Sequence, residues 1–516
     1  MNEGQRRAPT YKQMAFETAV RNPERYIPVL QALKDYEGLI LNDKNLLDIV
    51  TTLYREGIVE SDGVDLDQPE DVIKKQVISV NSTRRADGSF PSGYASRFWT
   101  YMRTPSELGF VYARYGKKFL ISPLVHKLLL GELDEQELFA IQSFRGNRRS
   151  PYRNVSNNYN FFKFIFSVLK KRQVAGKELT LEQFVIAMFS ENGDADEYLQ
   201  LIENNKFPDL DTVYDFLLEN YSIHTVIGTV TRDYPDVVIR LLAITGLISI
   251  RYSGKKFIGL NKNKIDFFDD LAKLVSPLSE AAVENDALFY EEMNSDISEF
   301  MPLIEKYRQD DKIEASEYKS SLARLIERYS LNENLIKQDL IDINSSHNHI
   351  EAFKEIPRPL KLEFYIALLL SMKYGDKFNI RPNYKADHEG KPYSHAPGGG
   401  GDIDVFSENM YWLIEVTLIQ NKTQQLNSET ATVFRHMVEN QEFKTKPLKY
   451  LSFIAPHVHH DTDEFFEASV FKYRTMNLKF KSYTIDRFID VTLEQSNLND
   501  MERNTTKILE TFLNGV

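Results

Sequence analysis

No cysteine occurs among the 516 residues. That excludes disulfides, thiol nucleophiles, cysteine-ligated zinc and iron–sulfur clusters, and it fits a reducing cytoplasm, the location expected here. A membrane-length apolar run is also missing: the longest, around Phe364–Met372, is far too short to span a bilayer, so no membrane partner is expected. The opening stretch Met1–Thr10, with Arg6 and Arg7, lacks the apolar core of a signal peptide. The glycine run Gly398–Gly401 is not followed by Gly-Lys-Ser/Thr, so it is no P-loop. An excess of positive charge is lacking as well. There are 63 Lys and Arg against 75 Asp and Glu, a formal net charge of −12, and as a total this speaks against a polyanionic partner. What is present is an ordinary globular composition, 42% hydrophobic and 27% charged, in a chain long enough for about three or four domains.

The charge is unevenly spread. Between Arg84 and Arg172 there are sixteen Lys and Arg against six Asp and Glu, a local +10 that leaves −22 for the remainder. Arg84, Arg85, Arg97, Arg103, Arg145, Arg148, Arg149 and Arg153 alternate here with aromatics such as Phe98-Trp99, Tyr101, Phe144, Tyr152 and Tyr159. Cations interleaved with aromatic, Asn and Ser side chains suit phosphate and base contacts. The plain alternative is a solvated basic face that binds nothing.

Two segments resemble each other. Gly109-Phe-Val-Tyr-Ala-Arg-Tyr-Gly-Lys117-Lys118-Phe-Leu120 is echoed by Gly246-Leu-Ile-Ser-Ile-Arg-Tyr-Ser-Gly-Lys255-Lys256-Phe-Ile258. Each reads as a β-hairpin with a Lys-Lys tip. The second follows an apolar helical pattern from about Pro235 to Thr245 that stops at Gly246. Helix then basic hairpin is the outline of a winged helix; two unrelated hairpins are the alternative. From about Phe268 to Asn348 the chain turns acidic and helical, and the segment Asn344–His349 with Pro357-Arg-Pro359 reads as a boundary.

Beyond Pro359, which suits a helix start, a largely apolar helix covers Leu360–Met372 and a glycine-rich loop covers Ser394–Gly401. Asp402–Phe406 alternates polar with apolar residues as a half-buried strand does. After the turn Ser407–Met410 comes Tyr411–Ile419, an apolar strand with Glu415 at its centre. Pairing Phe406 with Tyr411 puts Asp402 opposite Glu415. Opposed residues share a face with Cβ atoms about 5 Å apart. Two carboxylates so close repel unless a cation lies between them, and a hard ion such as Mg²⁺ suits oxygen ligands. A buried salt bridge is the alternative, but no Lys or Arg stands on this strand.

Further candidates surround that pair. Gln425 and Glu429 are spaced i, i+4 on a helix running to about Lys444, and Glu363 could add a carboxylate from the earlier helix or simply sit in a solvated first turn. Arg435-His436 lies further along, as a phosphate contact or a solvated pair. The cluster His457, His459, His460, Asp461 and Asp463 reads as a solvated loop rather than a metal site.

Taken in order, Pro359…Glu363-Phe364, Ser394-His-Ala-Pro-Gly398…Gly401-Asp402-Ile403, Leu413-Ile-Glu415-Val-Thr417, Gln425…Glu429 and Arg435-His436 resemble the AlwI family of type IIS restriction endonucleases, which includes nicking enzymes. The motif-bearing match covers roughly Pro359–Pro456, and the two hairpins resemble the family's DNA-recognition region more loosely. The resemblance implies a multidomain α+β chain. Winged-helix-like DNA-recognition subdomains would occupy 1–175 and 176–275, a helical linker 276–348 and an α/β nuclease domain with a PD-(D/E)XK-like core 349–516. It implies a type II site-specific deoxyribonuclease that reads a short asymmetric site in double-stranded DNA and cuts a few base pairs to one side. Asp402 and Glu415, with the Val416 carbonyl, would hold Mg²⁺, for which Mn²⁺ could substitute. Glu363 and Glu429 would be accessory acids and Gln425 would orient water or phosphate. The belt arginines, Lys117, Lys118, Lys255, Lys256, Arg435 and His436 would contact DNA. Thr417 stands where the catalytic Lys of Glu-x-Lys usually falls, so Lys422 or a water assisted by Glu429 is left to activate the nucleophile. One such site cuts one strand, so double-strand cleavage would take a second nuclease domain, from a transient homodimer or a partner subunit. A strand-specific nicking enzyme or the large subunit of a heterodimer is the variant reading. A DNA methyltransferase of the same system is the other implied partner. A winged-helix regulator without catalysis is the competing reading of another class.

Overall fold

In a computed structural model, the described residues are 12–81, 93–153, 155, 157–221, 223–310, 315–345, 347–396, 400–420, 422, 425–426, 430–472 and 478–493. Among them no helix is long and apolar enough to cross a membrane. The chain divides into two compact units, Met1–Gln309 and Asp310–Val516, both mixing helices and strands.

The first unit is built on one arrangement used twice. Helices α1 (Tyr26–Leu33), α2 (Asp43–Arg55), α3 (Glu70–Val80) and α4 (Gly93–Glu107) lead into the hairpin β1 (Val111–Tyr112) and β2 (Leu120–Ile121). The extended segment 38–41 lies along the returning arm: Leu41 N–H donates to Lys117 O at 2.9 Å and Phe119 N–H to Leu39 O at 2.9 Å. After α5 (Pro123–Leu129) and α6 (Glu135–Arg145) the scheme recurs. Helix α7 (Phe161–Val174) is followed by β3 (Leu179–Thr180), α8 (Leu181–Ala187), α9 (Ala195–Asn204), α10 (Leu210–Tyr221), α11 (Tyr234–Ile244) and the hairpin β4 (Ile248–Ser253) and β5 (Lys255–Leu260). Strand order is β3-β5-β4, all antiparallel, so β3 meets the second hairpin arm much as the bridge Ile40 to Lys118 does in the first repeat. Both hairpins leave their helix through a left-handed glycine, Gly109 (φ 68°) and Gly246 (φ 74°), a conformation that penalises any side chain. Helices α12 (Ile265–Leu274), α13 (Asp286–Met293) and α14 (Phe300–Asp310) complete the unit. One continuous core runs from Met14 to Ile304.

The aromatics of the basic belt belong to that core. Phe98, Phe110, Phe119, Phe144 and Phe161 are fully enclosed, with Phe144 stacked on Phe268 at 5.0 Å. These five are packing residues rather than stacking platforms for bases, because their rings are enclosed by the core.

In the second unit, α15 (Ala315–Arg328) and α16 (Glu333–Ile341) pack on α17 (Arg358–Tyr374), whose stretch Leu360–Leu370 is wholly buried. The helical region expected as a linker over 276–348 is therefore divided: α14 sends Phe300 and Ile304 into the first unit's core, while α15 and α16 are structural parts of the second. The expected boundary segment 344–349 lies inside the second unit. It is fastened by buried Asp339, which accepts the His349 N–H at 2.6 Å and the Tyr365 hydroxyl at 2.6 Å. Strands β6 (Asn379–Pro382), β7 (Lys385–Ala386), β8 (Pro392–Ser394), β9 (Ile403–Phe406) and β10 (Met410–Val416) follow. After them come α18 (Thr430–Glu439), α19 (Gln441–Thr445), β11 (Leu448–Ala455), α20 (His460–Lys472), β12 (Leu478–Thr484) and α21 (Ile485–Leu493). The central sheet has the order β12-β11-β10-β9-β6. β6, β9 and β10 are antiparallel neighbours, whereas β10, β11 and β12 run parallel. One face carries Tyr411, Leu413, Phe453 and Phe480 beneath Val433, Phe434 and Met437 of α18 and Phe466 of α20. Toward the other face Trp412 meets Phe488 of α21 at 6.4 Å. A sheet covered on both faces explains why β10 is nearly all apolar.

Candidate functional site

The β9–β10 register is Phe406 with Tyr411, Val405 with Trp412, Asp404 with Leu413 and Ile403 with Ile414. This is the pairing expected from the sequence, and continuing it by one step sets Asp402 opposite Glu415. Val416 N–H donates to the Asp402 carboxylate at 2.8 Å, which pins Asp402 across the strand pair. Glu415 is 4% exposed, and its Oε1 lies 3.0 Å from Nδ1 of His436 on α18. Gly401 stands against this pair. A Cβ there would fall 2.3 Å from Leu413 Cδ1 and 2.8 Å from Glu415 Oε1, so glycine lets the backbone approach both side chains this closely.

Two residues on, Asp404 has a different task. Buried to 1% exposure, it accepts from Arg381 Nε at 3.2 Å, Asn383 Nδ2 at 3.2 Å, the Tyr411 hydroxyl at 2.7 Å and Asn440 Nδ2 at 3.3 Å. Burial and then the Asp404 charge push the Tyr411 hydroxyl's pKa far up, so it remains a donor. The i, i+2 spacing of Asp404 from Asp402 is the sequence signal that places both acids on one face.

Glu363 sits on α17 at 3% exposure, with Oε1 at 2.6 Å from His395 Nδ1 and with buried Oε2 making no hydrogen bond. It is not the solvated first-turn residue of the alternative reading. Gln425 is fully buried and acts as a staple: Nε2 donates to Ile419 O at 3.1 Å and His457 O at 2.9 Å, and Oε1 accepts His459 N–H at 3.0 Å. These bonds tie the loop after β10 to the loop after β11. His436 turns to Glu415 rather than outward, while neighbouring Arg435 is exposed. Thr417 carries no amine; its N–H donates to Ile454 O at 2.9 Å and its hydroxyl accepts the Ile419 N–H at 3.2 Å. Lys422 is ion-paired with Asp461 at 2.8 Å. Glu429 and the loop residues 397–399 lie outside the described residues.

Asp402 and Glu415 supply two facing carboxylates, with Val416 at the same end of the strand pair and the Gly401 backbone packed against them. That donor set fits a hard divalent cation. Among the described residues, no three acidic or imidazole groups form a ready-made metal cluster.

The expected DNA contacts separate into three groups. Arg145 and Arg148 are buried. Arg145 donates to Ser295 O at 2.8 Å, to Ser295 Oγ and to Glu292 O, and Arg148 donates to Met188 O at 3.1 Å, to Asn157 and to Lys12 O. Both hold the fold and present nothing to a phosphate. Arg149 and Arg153 are neutralised locally, by Glu280 with Glu284 and by Glu107. The last group is on the surface: Arg97, Arg103, Lys117, Lys118 and Lys255 are exposed and Lys256 half-exposed. Lys255 donates to Pro208 O. Arg84 and Arg85 lie outside the described residues.

Among curated proteins no sequence match was found. Two solved structures are similar over part of the chain. The small subunit of the heterodimeric restriction endonuclease R.BspD6I is 21% identical over 34% of this chain and 88% of its own, with a TM-score of 0.27. The BpuJ1 endonuclease binding domain, in complex with pyrene- and phenanthrene-modified DNA, is 13% identical over 49% of this chain and 95% of its own, with a TM-score of 0.28. The family described as AlwI restriction endonuclease matches residues 106–299 and 291–491. With three quarters of its length so matched, from the first hairpin to the last strand of the central sheet, the chain belongs to the AlwI restriction endonuclease family, a family of DNA nucleases.

Proposed function

We propose that this chain is a type IIS-like, Mg²⁺-dependent site-specific endonuclease. It reads a short asymmetric sequence through its first unit and hydrolyses phosphodiester bonds a few base pairs to one side through its second. The observation that carries the reading is the facing of Asp402 and Glu415 across β9 and β10, beside Gly401, in a chain of a nuclease family. The twofold use of helix, early strand and hairpin supports two winged-helix-like recognition subdomains. A mixed five-stranded sheet with helices against it, bearing Asp and Glu-Val-Thr on its central hairpin, supports a PD-(D/E)XK-like nuclease core.

Asp402, Glu415 and the Val416 carbonyl are the ligands in this reading. Bound there, Mg²⁺ would supply Lewis-acid polarisation of the scissile phosphate and neutralise charge on the leaving oxygen. His436 fixes the rotamer of Glu415 through the 3.0 Å contact, and the Val416 N–H fixes Asp402. Gln425 holds the two loops at the carboxyl ends of β10 and β11 in one arrangement. One site cuts one strand, so cleavage of both strands takes a second nuclease domain, from another copy or a partner subunit. The test is plasmid incubated with Mg²⁺ and run-off sequencing of both strands. Cleavage at a fixed offset from one sequence, lost in Glu415→Ala with the melting curve retained, is expected. Plasmid left uncut under every divalent ion would overturn the reading.

A further inference from the structure

The two repeats of the first unit do not present their helices alike. In the second, α11 is closed off. Val237, Val238, Ile239, Leu241 and Leu242 are buried, and its polar positions are occupied by the segment before α1. Arg21 pairs with Asp233 at 3.1 Å, and Arg240 donates to Asn22 Oδ1 at 2.9 Å while pairing with Asp236 at 3.1 Å. Asp233 and Asp236 also set negative charge at the helix's leading end, where a phosphate would be repelled.

In the first repeat, α4 buries Tyr94, Phe98, Tyr101 and Met102 and turns a polar arc outward. That arc comprises Ser96, Arg97, Thr100 and Arg103, at helical spacing i, i+1, i+4 and i+7. It rises about 11 Å along the axis, close to three base-pair steps. Arg97 is exposed, with one 3.3 Å bond to Asn81. Arg103 is 57% exposed and meets Glu17 and Glu107 only at 3.5 and 3.7 Å, contacts weak enough to exchange. The hairpin that follows α4 exposes Lys117 and Lys118, neither of which has an ion pair among the described residues.

We propose that α4 is the helix through which this protein reads base edges in the major groove. Arg97 takes a guanine, Thr100 and Ser96 take neighbouring edges, and Lys117 and Lys118 hold phosphates beside it. Arginine's fork matches guanine O6 and N7, hydroxyls donate and accept, and an ammonium on a flexible stem suits phosphate. The assignment rests on the reading of the chain as a sequence-specific endonuclease, and it excludes α11 from base contact.

The test is selection of bound duplexes from a randomised library without divalent ion, using the full-length chain. The wild type is expected to enrich one sequence. Arg97→Ala should lose its preference for guanine at one position by on the order of 10- to 100-fold, and Thr100→Ala should relax an adjacent position. Lys117→Ala with Lys118→Ala should weaken all duplexes about equally and leave the sequence unchanged. Arg232→Ala, 76% exposed just before α11, should alter neither. Unchanged preference in both Arg97→Ala and Thr100→Ala, or a changed one in Arg232→Ala, would overturn the assignment while leaving the endonuclease reading intact. A wild type that enriches no sequence overturns both.

Discussion

Three carboxylates within fourteen residues have three different environments, and these set their tasks. Asp402 accepts the Val416 N–H and Glu415 meets His436, whereas Asp404 gathers donors from Arg381, Asn383, Tyr411 and Asn440. In the reading proposed above the first pair serves a metal ion, whereas Asp404 holds the sheet. Asp404→Ala would take away the acceptor shared by buried Tyr411 and half-buried Arg381, Asn383 and Asn440, with a loss of about 1–3 kcal/mol in a urea melt. Cleavage should fall with the folded fraction. Glu415→Gln should instead keep the melt near that of the wild type while abolishing cleavage. The contrast separates a structural from a chemical carboxylate. The same distinction governs the belt cations. Composition counts Arg148 and Lys117 alike, yet one is enclosed among carbonyls and the other stands at a hairpin tip. Which charge is enclosed depends on residues far away in the chain, such as Lys12 and Met188 around Arg148, and no local pattern encodes that.

At the scale of elements, the β9–β10 hairpin was the most legible part. A period-two pattern and a short turn fix register by themselves, because a slip of one residue would turn Asp402 away and bury the wrong face. The partners of its acids were not legible. His436 reaches Glu415 from α18 and His395 reaches Glu363 from beyond β8, both through tertiary packing. The bonds of Gln425 run to a loop more than thirty residues later, a contact that its spacing does not encode. The hairpin's tolerance is narrow at Gly401. Gly401→Ala places a methyl against Leu413 Cδ1 and Glu415 Oε1, so these side chains or the backbone beside them must move. Such a displacement should lower cleavage at least about 100-fold, while affinity for the same duplex, measured without divalent ion, stays within a factor of two or three.

For the whole molecule, the division at Gln309 and Asp310 assigns the two repeats to one unit and the mixed sheet to the other. The acidic helical stretch was read as a linker because it has high charge and no motif. Its halves instead serve the cores on either side, as Ile304 and Leu322 do by being buried in their own units. One proposed nuclease centre per chain sets the order of products. At low enzyme concentration, nicked circles should accumulate before linear plasmid, and the second cut should rise more steeply than linearly with enzyme. Equal, simultaneous cutting of both strands at all concentrations would contradict a single centre.

The pairing of Arg149 with Glu280 and Glu284, of Arg114 with Asp286 and of Lys170 with Asp269 has a consequence for search. These acids are built-in counter-ions. A polyanion approaching the first unit meets a few uncompensated cations, not the full excess counted along the belt, so few small ions are released on a random stretch of DNA. Residence there is short. If the protein is the site-specific endonuclease proposed above, it benefits from leaving each wrong position quickly.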